Sequence, residues 1–175
     1  YIEGLENGGV APAGTANSGE TFPAAPSEQK EFGVKYEVSS RLLLTAAYFD
    51  IERVSSFTNP TTNRFGQDGL ARYKGGEFSL TGELSRNLSI YATMLVLDAK
   101  QIRASTAALT GRRIENSAKT TWSVFGEYRL PFVEGFALTA GAFHVGNRAV
   151  NAANHAFVPS YTLLDLGASY TTKAI

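Results

Sequence analysis

The 175-residue sequence has no cysteine, one methionine, one tryptophan and only two histidines. Without thiols there is no disulfide scaffold, no thiolate zinc site and no cysteine nucleophile, while the redox compartment stays open. Charge is sparse, with 18% ionisable residues against an average of about 25%. Sixteen basic side chains balance sixteen acidic ones, so no excess of either sign points to nucleic acid or another polyanion. Long apolar runs are missing too. Leu42-Leu43-Leu44 ends at Thr45 and the run 94–97 ends at Asp98, far short of the roughly 18 residues of a membrane helix. No charged-then-apolar leader follows Tyr1, so no export signal is visible and the chain is expected to be a piece of a longer protein.

Aromatic residues are plentiful, with 11 Phe and eight Tyr in a chain that is 43% apolar, which excludes a disordered polar segment. Their periodicity sets the class. From Glu31 to Val38 the apolar residues Phe32, Val34, Tyr36 and Val38 fall on alternate positions, the period of a strand with one apolar face. Segments 41–52, 76–84, 88–97, 120–128, 136–145 and 161–170 complete seven expected strands, and no stretch has a helical period. In 41–52 the set Leu43, Thr45, Ala47, Phe49 and Ile51 reads as the apolar side, opposed by Tyr48, Asp50 and Glu52.

Linker lengths alternate. Ser39-Ser40, Ser85-Arg86-Asn87 and 129–135 are short, whereas 53–68, 98–117 and 146–157 are long and rich in Asn, Thr, Gly and Arg. The opening stretch 4–27 reads as a further long loop. This is the layout of an antiparallel meander with tight turns at one rim and long loops at the other, as in an outer-membrane barrel. Strands of about 9–11 residues are long enough to cross a bilayer at a tilt. Alternation by itself leaves two readings open: a soluble sandwich whose apolar face is a shared core, or a barrel whose apolar face meets lipid. In the second, Phe32, Val34, Phe49, Phe78, Leu80, Trp122 and Val124 are expected to face lipid. Tyr36, Tyr48, Tyr128 and Tyr170 would stand near the membrane interfaces, or be ordinary strand-forming aromatics.

Several segments resemble the barrel of TonB-dependent siderophore receptors. Glu28-Gln29-Lys30-Glu31-Phe32-Gly33-Val34-Lys35-Tyr36 is similar to a strand of that family, and Leu44-Thr45-Ala46-Ala47-Tyr48-Phe49-Asp50-Ile51 to its partner. Tyr73-Lys74-Gly75-Gly76-Glu77-Phe78, Leu97-Asp98-Ala99 and the stretch from Val158-Pro159-Ser160-Tyr161 to Tyr170 resemble later pieces in family order. The resemblance implies an all-β, antiparallel transmembrane β-barrel segment, residues 1–175 forming about seven strands of a roughly 22-stranded plugged barrel in the outer membrane of a Gram-negative bacterium. The plug domain and the last strands are absent from the sequence. It implies a receptor and transporter for ferric siderophores, energised through TonB. The ferric chelate is substrate rather than cofactor, the TonB protein is met through the absent plug segment, and outer-membrane lipid surrounds the wall.

Enzymatic chemistry has little to stand on. His144 and His155 lack a metal-ligand spacing. Ser160, His155 and Asp165 are linked by nothing beyond proximity in sequence. Gly75-Gly76 and Gly141 fit strand bends or close backbone approaches better than a phosphate loop. No catalytic residue, metal site or nucleic-acid partner is expected. Arg112 and Arg113, with Arg64 and Phe65, are the candidate ligand-facing residues in the extracellular loops; as an alternative these are solvated loop side chains. Glu77, Glu83, Tyr48 and Lys119 are candidate lumen-side residues for contact with the plug. A soluble all-β small-ligand binding barrel and a general porin are the other functional readings.

Overall fold

The computed structural model describes residues 1–172. Its main element is an eight-stranded antiparallel sheet in strict chain order: β1 (Ile2–Glu6), β2 (Ala25–Ser39), β3 (Leu42–Thr58), β4 (Phe65–Ser85), β5 (Leu88–Arg103), β6 (Thr120–Arg129), β7 (Phe136–Val145) and, at its far side, β10 (Tyr161–Tyr170). β8 (Arg148–Ala149) and β9 (Phe157–Val158) form a separate small hairpin in the last long loop. A 3-10 turn lies at Ala107–Leu109.

The meander and its rims are as expected: β2–β3, β4–β5 and β6–β7 close tightly at one end, and the long connections gather at the other. The number and the length of the strands need correction. An additional strand, β1, runs into the start of the expected opening loop and pairs with Ala25–Gln29 of β2, so the sheet has eight strands rather than seven. β2 to β5 also run far into segments read as loops, with β4 alone spanning 21 residues.

Residues directly opposite in an antiparallel pair share a face, so register fixes the two sides. One lateral row reads Val34–Ala46–Phe78–Met94–Trp122–His144–Thr162, and the next reads Tyr36–Leu44–Leu80–Ala92–Val124–Ala142–Leu164. This is the apolar face. The other face carries Lys35–Thr45–Ser79–Thr93–Ser123–Phe143–Leu163. Phe32, Val34, Phe78, Leu80, Trp122 and Val124 lie on the apolar face as expected. Phe49 does not: it is opposite Glu31 and Gly75, on the polar face, and Tyr48, opposite Phe32, takes the apolar side. Both sides of β3 are apolar in sequence, so strand composition could not set its parity. Phe49 turns inward because it covers Gly75, where a side chain would meet Phe49 Cζ at 3.0 Å and the Val96 carbonyl oxygen at 2.1 Å. Phe49 is thereby 8% exposed.

The sheet is one layer without a core. Its buried apolar residues are mostly alanines, whereas Leu166 is 89% and Phe32 79% exposed. A compact monomer of 18.8 kDa exposes about 8,300 Å²; this chain exposes 11443 Å². A soluble sandwich would bury its apolar face against a second layer, and here that face is bare.

Candidate functional site

The polar face is built by hydroxyl side chains on four adjacent strands. Thr45 and Ser79 share a hydrogen bond at 2.6 Å, and Thr93 and Ser123 share one at 2.8 Å. Glu77 stands one row nearer the loops, opposite Ala47 and Leu95. With Thr45, Ser79, Thr93 and Thr121 it lines a recess of about 360 Å³. Glu83, near the tight turns, is paired with Arg41 at 3.1 Å.

Further toward the loops the same face holds Arg53, which is 3.0 Å from Glu6 and lies over the Tyr73 ring at 5.9 Å. Beside it a cleft of about 300 Å³ is lined by Ser55, Tyr73, Gln101, Ser105, Ile114 and Glu115. The sequence reading missed this cleft because most of its lining falls in segments taken as loops. A loss of alternation after Ile51, without the Gly/Pro density of a turn, was the available signal.

The long loops are braced in two groups. In the first, segment 7–24 is fastened to the β3–β4 connection. The Phe65 N–H donates to Asn17 Oδ1 (2.8 Å) and Asn17 Nδ2 donates to the Phe65 carbonyl (2.9 Å). Asn63 Nδ2 donates to the Gly14 carbonyl at 2.9 Å. Arg64 pairs with Glu20 at 3.1 Å, and the Phe65 ring meets Phe22 edge-on at 5.5 Å. In the second group the β5–β6 loop is fastened to the loop holding β8 and β9. Asn154 accepts from the Arg113 N–H and donates to its carbonyl, both at 2.8 Å. The Arg113 guanidinium donates to the Asn147 carbonyl (2.8 Å) and covers Phe157 at 5.2 Å.

The four candidate ligand-facing residues are therefore split between the two groups. Arg64 and Phe65 brace the first, and Arg113 braces the second. Arg113 is also bridged to Lys100, which puts its side chain on the apolar side of the sheet. Arg112, its neighbour, lies on the other side, and its Nε donates to the Ala108 carbonyl at 3.3 Å. Asn154→Ala removes the clamp on Arg113 and leaves alanine at a φ of 58°, where a Cβ is disfavoured. Limited proteolysis of the full-length protein is expected to cut residues 146–160 several-fold faster, with the heat-resistant migration of the sheet unchanged.

His144 stacks on Trp122 at 5.3 Å and shares a hydrogen bond with Thr162 at 2.8 Å. His155 lies in the last loop, its N–H donating to Asn151, and Asp165 is mid-strand opposite Gly141. No hydrogen bond among the described residues joins His155, Asp165 and Ser160. On the apolar side beyond Tyr48, Arg72 Nε lies 2.8 Å from Asp50.

The family of TonB-dependent receptor-like β-barrels matches residues 3–174. The ferrichrome receptor FcuA of Yersinia enterocolitica is 32% identical over 98% of this chain and 23% of its own length. The metal-pseudopaline receptor CntO of Pseudomonas aeruginosa is 29% identical over 90% of the chain and 23% of its own. The crystal structure of BauA, the ferric preacinetobactin receptor of Acinetobacter baumannii, superposes with a TM-score of 0.86 at 30% identity. That match covers 99% of this chain and 26% of BauA. The chain thus spans about a quarter of the length of these relatives, all named as receptors. With its bare apolar face, hydroxyl-lined polar face and alternating rims, the chain belongs to the TonB-dependent receptor β-barrel family of Gram-negative outer membranes.

Proposed function

We propose that residues 1–175 are one arc of the wall of a plugged barrel of about 22 strands, and that the whole protein imports a ferric siderophore. The observation that carries this reading is the register. It gives one bare apolar face for lipid and one face of hydroxyls and carboxylates for a filled lumen, in a chain similar to receptors for three different metal chelates. In this scheme the outward rows contact outer-membrane lipid. Glu77 and the Thr45–Ser79 and Thr93–Ser123 pairs face the plug, supplied elsewhere in the full-length protein. The chelate meets the cleft at Tyr73, Gln101 and Glu115 together with Arg112, while Arg64, Phe65 and Arg113 hold the loops in place around it. The plug segment is where the TonB protein pulls.

The test is binding and uptake by the full-length protein. Ferrichrome, ferric preacinetobactin and metal-pseudopaline, the chelates named for the relatives, form the first panel. Saturable binding of one of them, with uptake lost in cells lacking TonB, is expected. Passive flux of small solutes without saturable binding would mean an open porin instead. Arg112→Ala in the β5–β6 loop is expected to weaken binding of the recognised chelate several-fold, and unchanged affinity would remove Arg112 from the site.

A further inference from the structure

The inward face is not uniform along the arc. One lateral row reads Lys35–Thr45–Ser79–Thr93–Ser123 and then Phe143–Leu163. The next row toward the tight turns reads Glu37–Leu43–Thr81 and then Tyr91–Phe125–Gly141–Asp165. Each row thus passes from polar to apolar across the sheet, with Leu43 as the large apolar side chain on the polar side. Tyr91 stands directly opposite Phe125, and Phe143 opposite Leu163. Tyr91 and Phe125 belong to strands inside the sheet, yet they are 51% and 46% exposed.

The two sectors differ in what they ask of a neighbour. The hydroxyls of the polar sector are already paired, Thr45 with Ser79 and Thr93 with Ser123, so they keep a film of water without penalty. The recess at Glu77 beside them has room for it. The apolar sector is stabilised only when water is displaced from it. Lipid lies on the opposite face, so the occupant has to come from the lumen. A wall of about 22 strands, at this chain's eight strands per 175 residues, takes roughly 480 residues. The relatives are about four times as long as this chain, which leaves about 200 residues beyond the wall, enough for a domain. The apolar sector also has a notch at Gly141, where a Cβ would lie 3.4 Å from the Phe125 ring and 3.6 Å from the Asp165 Cβ. Asp165 has no side-chain hydrogen bond or ion pair among the described residues.

We propose that the plug is anchored on the apolar sector, from Tyr91 to Leu163, and parts from the hydroxyl sector of β3 to β5, where the chelate passes. The anchor takes a plug face with an apolar side chain for the Gly141 notch and a cation or N–H donor for Asp165. A pull on the plug meets least resistance where the interface is already wet, and it opens there first. The cleft at Tyr73 and Gln101 stands at the head of this side and the Glu77 recess nearer the tight turns. Phe49 lies between them, tucked against Gly75. This division deepens the import reading above and rests on it for the plug and the pull.

The test places single cysteines in the full-length receptor and labels them in intact cells with a small charged maleimide, using the chelate panel above. With chelate bound, Ser79→Cys and Thr93→Cys are expected to label several-fold faster in cells with TonB than in cells without it. Phe125→Cys and Leu163→Cys should stay protected in both. Thr93→Val with Ser79→Ala dries the path, and should slow uptake at saturating chelate several-fold with affinity unchanged. Thr93→Ser with Ser79→Thr should restore the rate. Phe125→Ser with Leu163→Ser loosens the anchor and should raise passive flux of small solutes several-fold. Heat-resistant migration reports folding of each variant. Labelling that rises equally at all four positions, in a receptor that still binds and imports, would overturn the division and leave the import reading standing. So would normal uptake by Thr93→Val with Ser79→Ala. A receptor without saturable binding of any chelate would overturn both.

Discussion

Leu80→Arg is expected to cost the folded barrel about 2–4 kcal/mol, the penalty of a cation near the midplane of a barrel's lipid face, whereas Ser79→Arg should cost a small fraction of that. The two residues are consecutive and point oppositely. Leu80 lies in the row Tyr36–Leu44–Leu80–Ala92–Val124–Ala142–Leu164, with apolar rows on both sides, so its guanidinium would have no water and no partner within reach. Ser79 lies in the inward hydroxyl row, bonded to Thr45 and one row from Glu77, where an arginine finds water and a carboxylate. The measurement is a urea titration of the full-length receptor in phospholipid vesicles. Equal costs at the two positions would show that the face assignment is wrong. The same comparison at Tyr48 and Phe49 tests the reassigned parity of β3: arginine at Tyr48 should be the worse of the two for lipid insertion, although Phe49 also loses its packing on Gly75.

Where the two faces meet different media, the sequence was legible. Strand β2 announces itself through Phe32, Val34, Tyr36 and Val38 because lipid lies on one side of these residues and a polar lumen on the other. The period fails where that contrast fails. At Glu28, Lys30, Arg72, Lys74, Asp98 and Lys100 the outward side has left the apolar band, the alternation of apolar and polar residues is lost, and these positions fall outside the expected strands although their backbone pairing continues. The five residues of β1 lie wholly in that zone, opposite Ala25–Gln29, and were invisible for the same reason. Phe49 shows the converse failure: an aromatic on the lumen side, placed there by the bare backbone of Gly75, mimics a lipid-facing residue. The balanced net charge likewise concealed the lateral row Glu3–Glu28–Glu52–Arg72–Lys100–Arg113, sorted by sign, since only register reveals which charges are neighbours. The loop arginines could be located but not assigned, because the partners that occupy Arg64 and Arg113 are Glu20 and Asn147, each more than 30 residues away in sequence.

The isolated 175-residue chain is expected to aggregate in water and to bind no ferric chelate with useful affinity. The sheet ends at β1 and β10. β1 covers only Ala25–Gln29, so β2 from Lys30 onward and the outer side of β10 present unpaired N–H and C=O groups. Such edges pair with other copies in water and cannot be satisfied in lipid unless a barrel closes. The apolar face adds a second drive to association. Phe32, Val34, Leu44, Phe78, Val124, Leu164 and Leu166 are all exposed, a contiguous patch well above the few hundred Å² typical of a soluble monomer. No buried core offsets the entropy of ordering the chain, because the large side chains that would build one are on the outside. The chelate site fails separately: the cleft at Tyr73 and Glu115 is one side of a rim, and the plug and the remaining loops are needed to enclose a ligand. Sedimentation velocity and titration with the three chelates check both statements on one sample. A monodisperse soluble monomer would return the chain to the class of small soluble barrels, and tight binding by that monomer would show that a single arc suffices for recognition.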